Sequence, residues 1–196
     1  MSIPKIGVIL STTREGRFAD KPAAWLMSIA QQRTDMSFEL IDLRDYPLPM
    51  FDWPFSPARK PIDRPDVMPW RQKIGEMDGF IFITAEYNRS IPGALKNALD
   101  YVFAEWARKP AAYLGYGNAG GARAIEHLRT ICVELHMAPM RVGVHLGREP
   151  LLAALNENRP LSDFEYLAVQ ARAMLDDLGW WATTLKAGRD LLVKPA

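Results

Sequence analysis

The segment "TAEYNRSIPGALKNALDYV", Thr84 to Val102, carries the decisive pattern. It follows the apolar run Phe80 to Ile83, turns polar from Glu86 to Ser90, and resumes with Leu95, Ala98 or Leu99, Val102 and then Trp106 at spacings of three and four. A short apolar run, a polar turn and a 3.6-residue period read as strand, loop and helix. Ser90 is expected to cap that helix, and Pro92 to occupy its first turn, where a missing N–H is no loss.

The same unit recurs on both sides. Upstream, Ile6–Leu10 is apolar and partly β-branched, stops at "STTREGR" (Ser11–Arg17), and precedes a helical period through Ala23, Leu26, Ile29 and Ala30, with Pro22 in the first turn. "FELIDL", Phe38–Leu43, alternates as a second strand, and "GFIFITA", Gly79–Ala85, is the third. Downstream, "AAYLGYG" (Ala111–Gly117) reads as a fourth strand, Ile125, Leu128, Cys132 and Leu135 mark a helix, and "MRVGVHL" (Met140–Leu146) is a short fifth strand. A last helix, over about 162–185, is expected from a capping box at Ser162 and Glu165, stapled by Leu161. Between Tyr46 and Trp70 seven prolines forbid a central strand or a long helix, so 46–70 reads as an ordered cover, with Trp53, Phe55 and Trp70 as a satellite core beneath it.

Strands alternating with helices predict a parallel sheet covered on both faces, because each parallel connection needs a crossover. The expected fold is therefore α/β, a flavodoxin-like, doubly wound sheet of five parallel strands in the order 2-1-3-4-5. The 196 residues are read as a single domain. In such sheets ligands bind beyond the carboxyl ends of the strands, where strand order reverses. The loops to watch are "STTREGR", "AEYNRSIPG" and "GYGNAGGAR".

Composition narrows the partners. With 24 basic against 23 acidic residues the net charge is +1, which leaves no footprint for nucleic acid or an acidic membrane. The single cysteine, Cys132, excludes an intramolecular disulfide and a cysteine metal cluster, and on the apolar face of its helix it reads as inert. The opening "MSIPKIGVIL" is too short an apolar run for a signal segment or a span, so a cytoplasmic location is expected.

In the first loop, Ser11, Thr12 and Thr13 offer hydroxyls, the start of the helix offers unpaired N–H groups, and Arg14 and Arg17 offer guanidinium forks, a set suited to a phosphate. It is neither G-x-G-x-x-G nor a P-loop. In the second loop, Tyr87 and Asn88 offer an aromatic face and an amide, which suit a flat heterocycle. The third loop has Gly115, Gly117, Gly120 and Gly121 within seven residues, where backbone can approach a ligand closely. His127, His136 and His145 lie outside the three loops and read as structural.

These three loops, with the segment "ARAIEHLRTICVELHMAPMRVGV" that follows the third, resemble the signature regions of the NADPH-dependent FMN reductase family, over about residues 5–145. The resemblance implies FMN as cofactor, NADPH or NADH as co-substrate, a small-molecule acceptor (free flavin, quinone, azo compound or metal oxyanion), and a homodimer or homotetramer with the flavin near the subunit interface. Carried over by position, Ser11–Arg17 would hold the FMN phosphate, Glu86, Tyr87, Asn88, Arg89 and Ser90 would lie along the isoalloxazine, and Gly117 with the glycines after it would close the other side. Ser11 stands where the family commonly has glycine, and Ala85 where it often has proline. No side chain need act as acid, base or nucleophile, because the flavin carries the chemistry. The alternative is a flavodoxin-type electron carrier without reductase activity of its own, though such carriers tend to be strongly acidic.

Overall fold

A computed structural model describes residues 2–192. Five strands, β1 (Lys5–Leu10), β2 (Ser37–Asp42), β3 (Gly79–Ala85), β4 (Pro110–Tyr116) and β5 (Ala138–Leu146), form one sheet in the order β2-β1-β3-β4-β5. Every pairing is parallel, with Ile6 opposite both Phe38 and Gly79, and one irregularity falls between Ala111 and Tyr113 where β4 meets β5. The expected topology is therefore the observed one.

Alternation along each strand sends side chains to two separate cores. Val8, Ile81, Ile83 and Leu114 pack with α1 (Asp20–Ala30), α5 (Arg148–Asn156) and the long α6 (Glu165–Leu192). Ile9, Phe80, Phe82 and Tyr113 pack with α2 (Met68–Gly75), α3 (Gly93–Asp100) and α4 (Ala122–Glu134). The second core is aromatic: the Trp106 ring meets Phe80 edge-on at 4.8 Å, and the Trp70 indole N–H donates to the Ala98 carbonyl at 2.8 Å. At about 25 cal/mol per Å² of apolar area, these two layers dominate the stability.

Several boundaries differ from the sequence reading, each for a local reason. Helix α3 stops at Asp100, so Val102 and Trp106 lie beyond it; both remain buried because i to i+3 hydrogen bonds, such as Trp106 N–H to Phe103, keep the chain turning in similar phase. Pro92, with φ −59° and ψ 140°, holds the cap position itself, and Ser90 does not cap. Ser162 lies in a 3₁₀ turn, Leu161–Asp163, ahead of α6, and α6 runs to Leu192. Leu43 opens a 3₁₀ turn in place of ending β2, while β5 begins at Ala138, two residues earlier than expected. Helices α2 and α5 went unforeseen, although Pro69 in the first turn of one and Glu149 in that of the other are start signals.

The proline-rich stretch is held down by α3. Asn97 accepts from the Phe51 N–H at 2.8 Å and donates to the Pro49 carbonyl at 2.7 Å, and the Tyr101 hydroxyl adds a bond to the same carbonyl at 3.1 Å. Trp70 is fully buried and Trp53 packs beneath the cover, but Phe55 is 51% exposed, with Lys60 over its ring at 5.5 Å, and it joins no core. Among the described residues no helix is long and apolar enough to cross a membrane.

Candidate cofactor site at the carboxyl edge of the sheet

The first loop divides into a buried base and an exposed crest. Ser11 and Thr12 are buried, whereas Thr13, Arg14, Glu15 and Gly16 are exposed. The Ser11 hydroxyl donates to the Ile83 carbonyl at 2.5 Å, turning into the sheet and leaving the crest uncrowded. The Thr12 hydroxyl meets the Tyr116 phenol at 3.5 Å, and burial pushes that phenol up to about 12. Gly16 takes φ 61°, the left-handed conformation the turn needs. Among the described residues the N–H groups of Thr13, Arg14, Glu15 and Gly16 make no hydrogen bond, so the crest presents a row of free donors. Such a nest suits an anion.

Arg17 does not join it. Its side chain is 2% exposed, and all five donors are taken: by Asp20, by both oxygens of Asp42, and by the Thr12 carbonyl at 2.6 Å. Burial pulls this guanidinium down, but Asp42 and Asp20 together hold it above its ordinary range. The expectation that Arg17 offers a fork to phosphate is corrected: it props the loop from below, tying Thr12 to the end of β2. Arg14 is the exposed arginine, and its guanidinium lies 5.9 Å from the Tyr87 ring centroid, joining the first loop to the second.

The second loop is a two-residue turn. Tyr87 and Ser90 exchange both backbone hydrogen bonds, at 2.9 and 3.0 Å, around Asn88 (φ 49°) and Arg89 (φ 71°). Two positive φ values in succession mark a type I′ turn, where asparagine is at home and arginine is not. Glu86 departs from its expected place along a flat ligand. Its side chain is 6% exposed, one oxygen accepts from the Arg123 N–H at 3.2 Å, and the other pairs with the Arg123 guanidinium. Its carboxylate thus ties the second loop to the start of α4. Ser90 also turns that way, its hydroxyl 3.0 Å from His127 Nδ1.

The third loop is shaped by clearance. A Cβ on Gly121 would lie 2.6 Å from Gly115 Cα and from the Tyr116 nitrogen, and one on Gly117 would touch the Glu86 side chain at 3.3 Å. Gly117, Gly120 and Gly121 all take positive φ. His145 reaches the same loop, its Nδ1 3.2 Å from the Gly120 carbonyl. Two of the three histidines that lie outside the loops in sequence, His127 and His145, therefore contact loops in space, through partners 37 and 25 residues away.

Three loops meeting where the strand order reverses beside β1, one a nest of donors, one presenting an aromatic face and one glycine-lined, place the protein among flavodoxin-like, mononucleotide-binding α/β proteins. Residues 4–149 match the family described as NADPH-dependent FMN reductase, and the chain belongs to that family. It is 34% identical over 154 residues to an NAD(P)H-dependent FMN reductase of Schizosaccharomyces pombe, covering 76% of each chain. It is 36% identical over 144 residues to a 2-hydroxy-1,4-benzoquinone reductase of a Burkholderia species, covering 69% of this chain and 74% of that one. In fold it is similar to the flavoenzyme NAD(P)H:(acceptor) oxidoreductase FerB of Paracoccus denitrificans, with a TM-score of 0.71, 23% identity, and coverage of 93% of this chain and 98% of that one.

The residues present fit FMN, the cofactor of the family. The free crest donors match a phosphate, and the Tyr87 turn beside them offers a face for a ring.

Proposed function

We propose that the protein is an NAD(P)H-dependent FMN oxidoreductase that reduces a small quinone. The observation that carries this reading is the contact of Arg14 with the Tyr87 ring, because it brings a phosphate-type loop and a ring-type loop within one ligand's length of each other. When bound, FMN supplies the redox chemistry, taking a hydride from NADPH or NADH and passing electrons to the acceptor. The chain's own part is to bind and orient. The amides of Thr13–Gly16 and the Arg14 guanidinium hold the phosphate, Tyr87 and Asn88 lie along the ring, and the glycines from Gly117 onward let backbone approach it.

A quinone is favoured over the other acceptors by the shape beside this edge. A cleft of about 500 Å³ opens between Thr13 and the start of α3, walled by Tyr46, Leu48 and Met50, with Arg44 and Asn97 beside them. Its aromatic and aliphatic walls suit a flat ring. The Burkholderia relative, named for a benzoquinone, supports the same class. As the family resemblance implies, we read the protein as a homodimer or homotetramer, which sedimentation would test.

Purified protein should be yellow, or become so on adding FMN, and should bleach with anaerobic NADPH and recover its colour with a benzoquinone. Colourless protein that binds no added FMN would sink the reading. Arg14→Ala should weaken FMN binding about tenfold or more, as expected for a lost hydrogen bond to a charged group. Unchanged affinity would return that arginine to the solvent.

A further inference from the structure

Each of the three loops is braced from beneath by one polar side chain. Arg17 holds the Thr12 carbonyl of the first, and Glu86 ties the second to Arg123. In the third the brace is His145, near the end of β5, whose Nδ1 donates to the Gly120 carbonyl at 3.2 Å. A carbonyl only accepts, so the proton of this contact sits on Nδ1. The surroundings are shaped for it. His145 lies opposite Gly115 in the register of β4 with β5, and a Cβ on Gly115 would come within 3.0 Å of the Gly120 oxygen. Gly143 is bare as well, and a Cβ there would touch His145 Nε2 at 3.7 Å. The His145 backbone is held in turn, its N–H donating to Gln170 Oε1 of α6 at 3.0 Å.

The third loop needs such a brace. Gly117, Gly120 and Gly121 take φ of 150°, 64° and 68°, and glycine has no side chain to restrain it there. Asn118 and Ala119 form an exposed crest over buried Gly120 and Gly121. Because a peptide is planar and trans, a Gly120 carbonyl turned toward β5 sends the Gly121 N–H to the opposite side. Among the described residues that N–H makes no hydrogen bond, so nothing on its own side fixes the plane. We propose that His145 is the positioning residue of the third loop, setting the peptide between Gly120 and Gly121 so that glycine backbone meets the cofactor in one orientation. For its consequence in binding, the assignment rests on the FMN reading above. It replaces the sequence expectation that His145 is only structural.

The test uses the full chain and two variants. His145→Leu removes the donor and keeps most of the bulk, whereas His145→Asn keeps an N–H at the place of Nδ1. Amide hydrogen exchange over residues 117–122, followed without FMN, reads the loop itself, and an FMN titration reads the consequence. For His145→Leu we expect exchange over 117–122 to quicken about threefold to tenfold, the weight of one neutral hydrogen bond, with β1 and β3 unchanged. Kd for FMN should rise by a similar factor, about threefold to tenfold. His145→Asn should recover most of both, which general damage to packing would not allow. The proposal is overturned if loop exchange is unchanged in His145→Leu, if the sheet loosens as much as the loop, or if His145→Asn and His145→Leu behave alike. It is equally overturned if the loop loosens while FMN affinity stays within about twofold of wild type. Failure of the underlying reading is separately visible: wild-type protein would then take up no FMN, while exchange without cofactor would still report the contact of His145 with the loop.

Discussion

The Ser11 hydroxyl donates to the Ile83 carbonyl at 2.5 Å, and the Ser11 backbone N–H reaches the same oxygen at 3.2 Å. Both bonds bridge β1 and β3, where the strand order reverses. The side chain that replaces the family's common glycine therefore points away from the phosphate crest. Ser11→Gly should lower stability by about 1 kcal/mol, the net worth of one hydrogen bond, and leave FMN affinity within about threefold of wild type. Urea unfolding and an FMN titration check the two parts independently. A large gain in FMN affinity would show that the serine does crowd the phosphate after all.

Arg17 predicts a pH dependence. Burial works to raise the Asp42 carboxyl, but hydrogen bonds from Arg17 and Arg44 outweigh it and hold the group well below the usual carboxylate range. A carboxyl depressed in the folded state contributes stability that is complete above its unfolded value, about 4, and is lost as pH falls toward the folded one. Arg17→Met removes the buried partner and leaves Asp42, which is 16% exposed, paired only with the more exposed Arg44. Losing hydrogen bonds to a charged group in this way costs about 1.5 to 3 kcal/mol near neutrality. The gap between wild type and variant should shrink as pH falls from about 4 to 2. A gap independent of pH would mean that the loss comes from packing and the Thr12 carbonyl alone.

The arginine shows where sequence reading stops. Strands and the three loops were legible because apolar runs, polar turns and glycine clusters are local signals, and the decisive segment around Thr84 has the first two. Direction was not legible. Arg17 and Glu86 look equally free in the sequence, yet each points to a partner 25 or 37 residues away, Asp42 and Arg123. Ser90 carries a good capping signal, and Pro92 takes the position instead because its own φ and ψ already suit it. His127 belongs to the second loop only through its contact with Ser90. Helix α5 was missed because its signal lies in a short run behind Gly147, with only Ala153, Ala154 and Pro150 buried.

Glycine substitutions should separate two kinds of constraint in the loops. At Gly16 a Cβ would meet nothing within 4 Å, so Gly16→Ala costs only the left-handed backbone, about 1 to 2 kcal/mol. At Gly121 the same φ penalty is joined by a Cβ 2.6 Å from backbone atoms that cannot rotate away. Gly121→Ala should therefore displace the third loop, lower stability by more than about 3 kcal/mol and weaken FMN binding sharply. Thermal unfolding with and without FMN reads both. Equal effects for the two variants would mean that the third loop yields easily, against the clearances found.

Glu86 gives the last prediction, and it concerns the turn through a residue that does not face the ring. Its backbone N–H bonds the Tyr116 carbonyl at 3.0 Å and its carboxylate holds Arg123, so the second and third loops share one anchor immediately before Tyr87. Glu86→Gln preserves the volume and removes the charge, setting an amide N–H against a guanidinium or a backbone donor. Stability should fall by about 1.5 to 3 kcal/mol, the range for hydrogen bonds to a charged group. FMN affinity should fall with it, because the tie between the second loop and α4 that fixes the position of Tyr87 is then weakened. Arg123→Met should produce a similar loss, and the double variant should lose much less than the sum, with a coupling of at least about 1 kcal/mol. Strict additivity would show that Glu86 and Arg123 act separately. If instead the coupling is present but FMN affinity is unchanged in all three variants, the anchor stabilises the fold without orienting Tyr87, and the turn must be set by Asn88 and Arg89 alone.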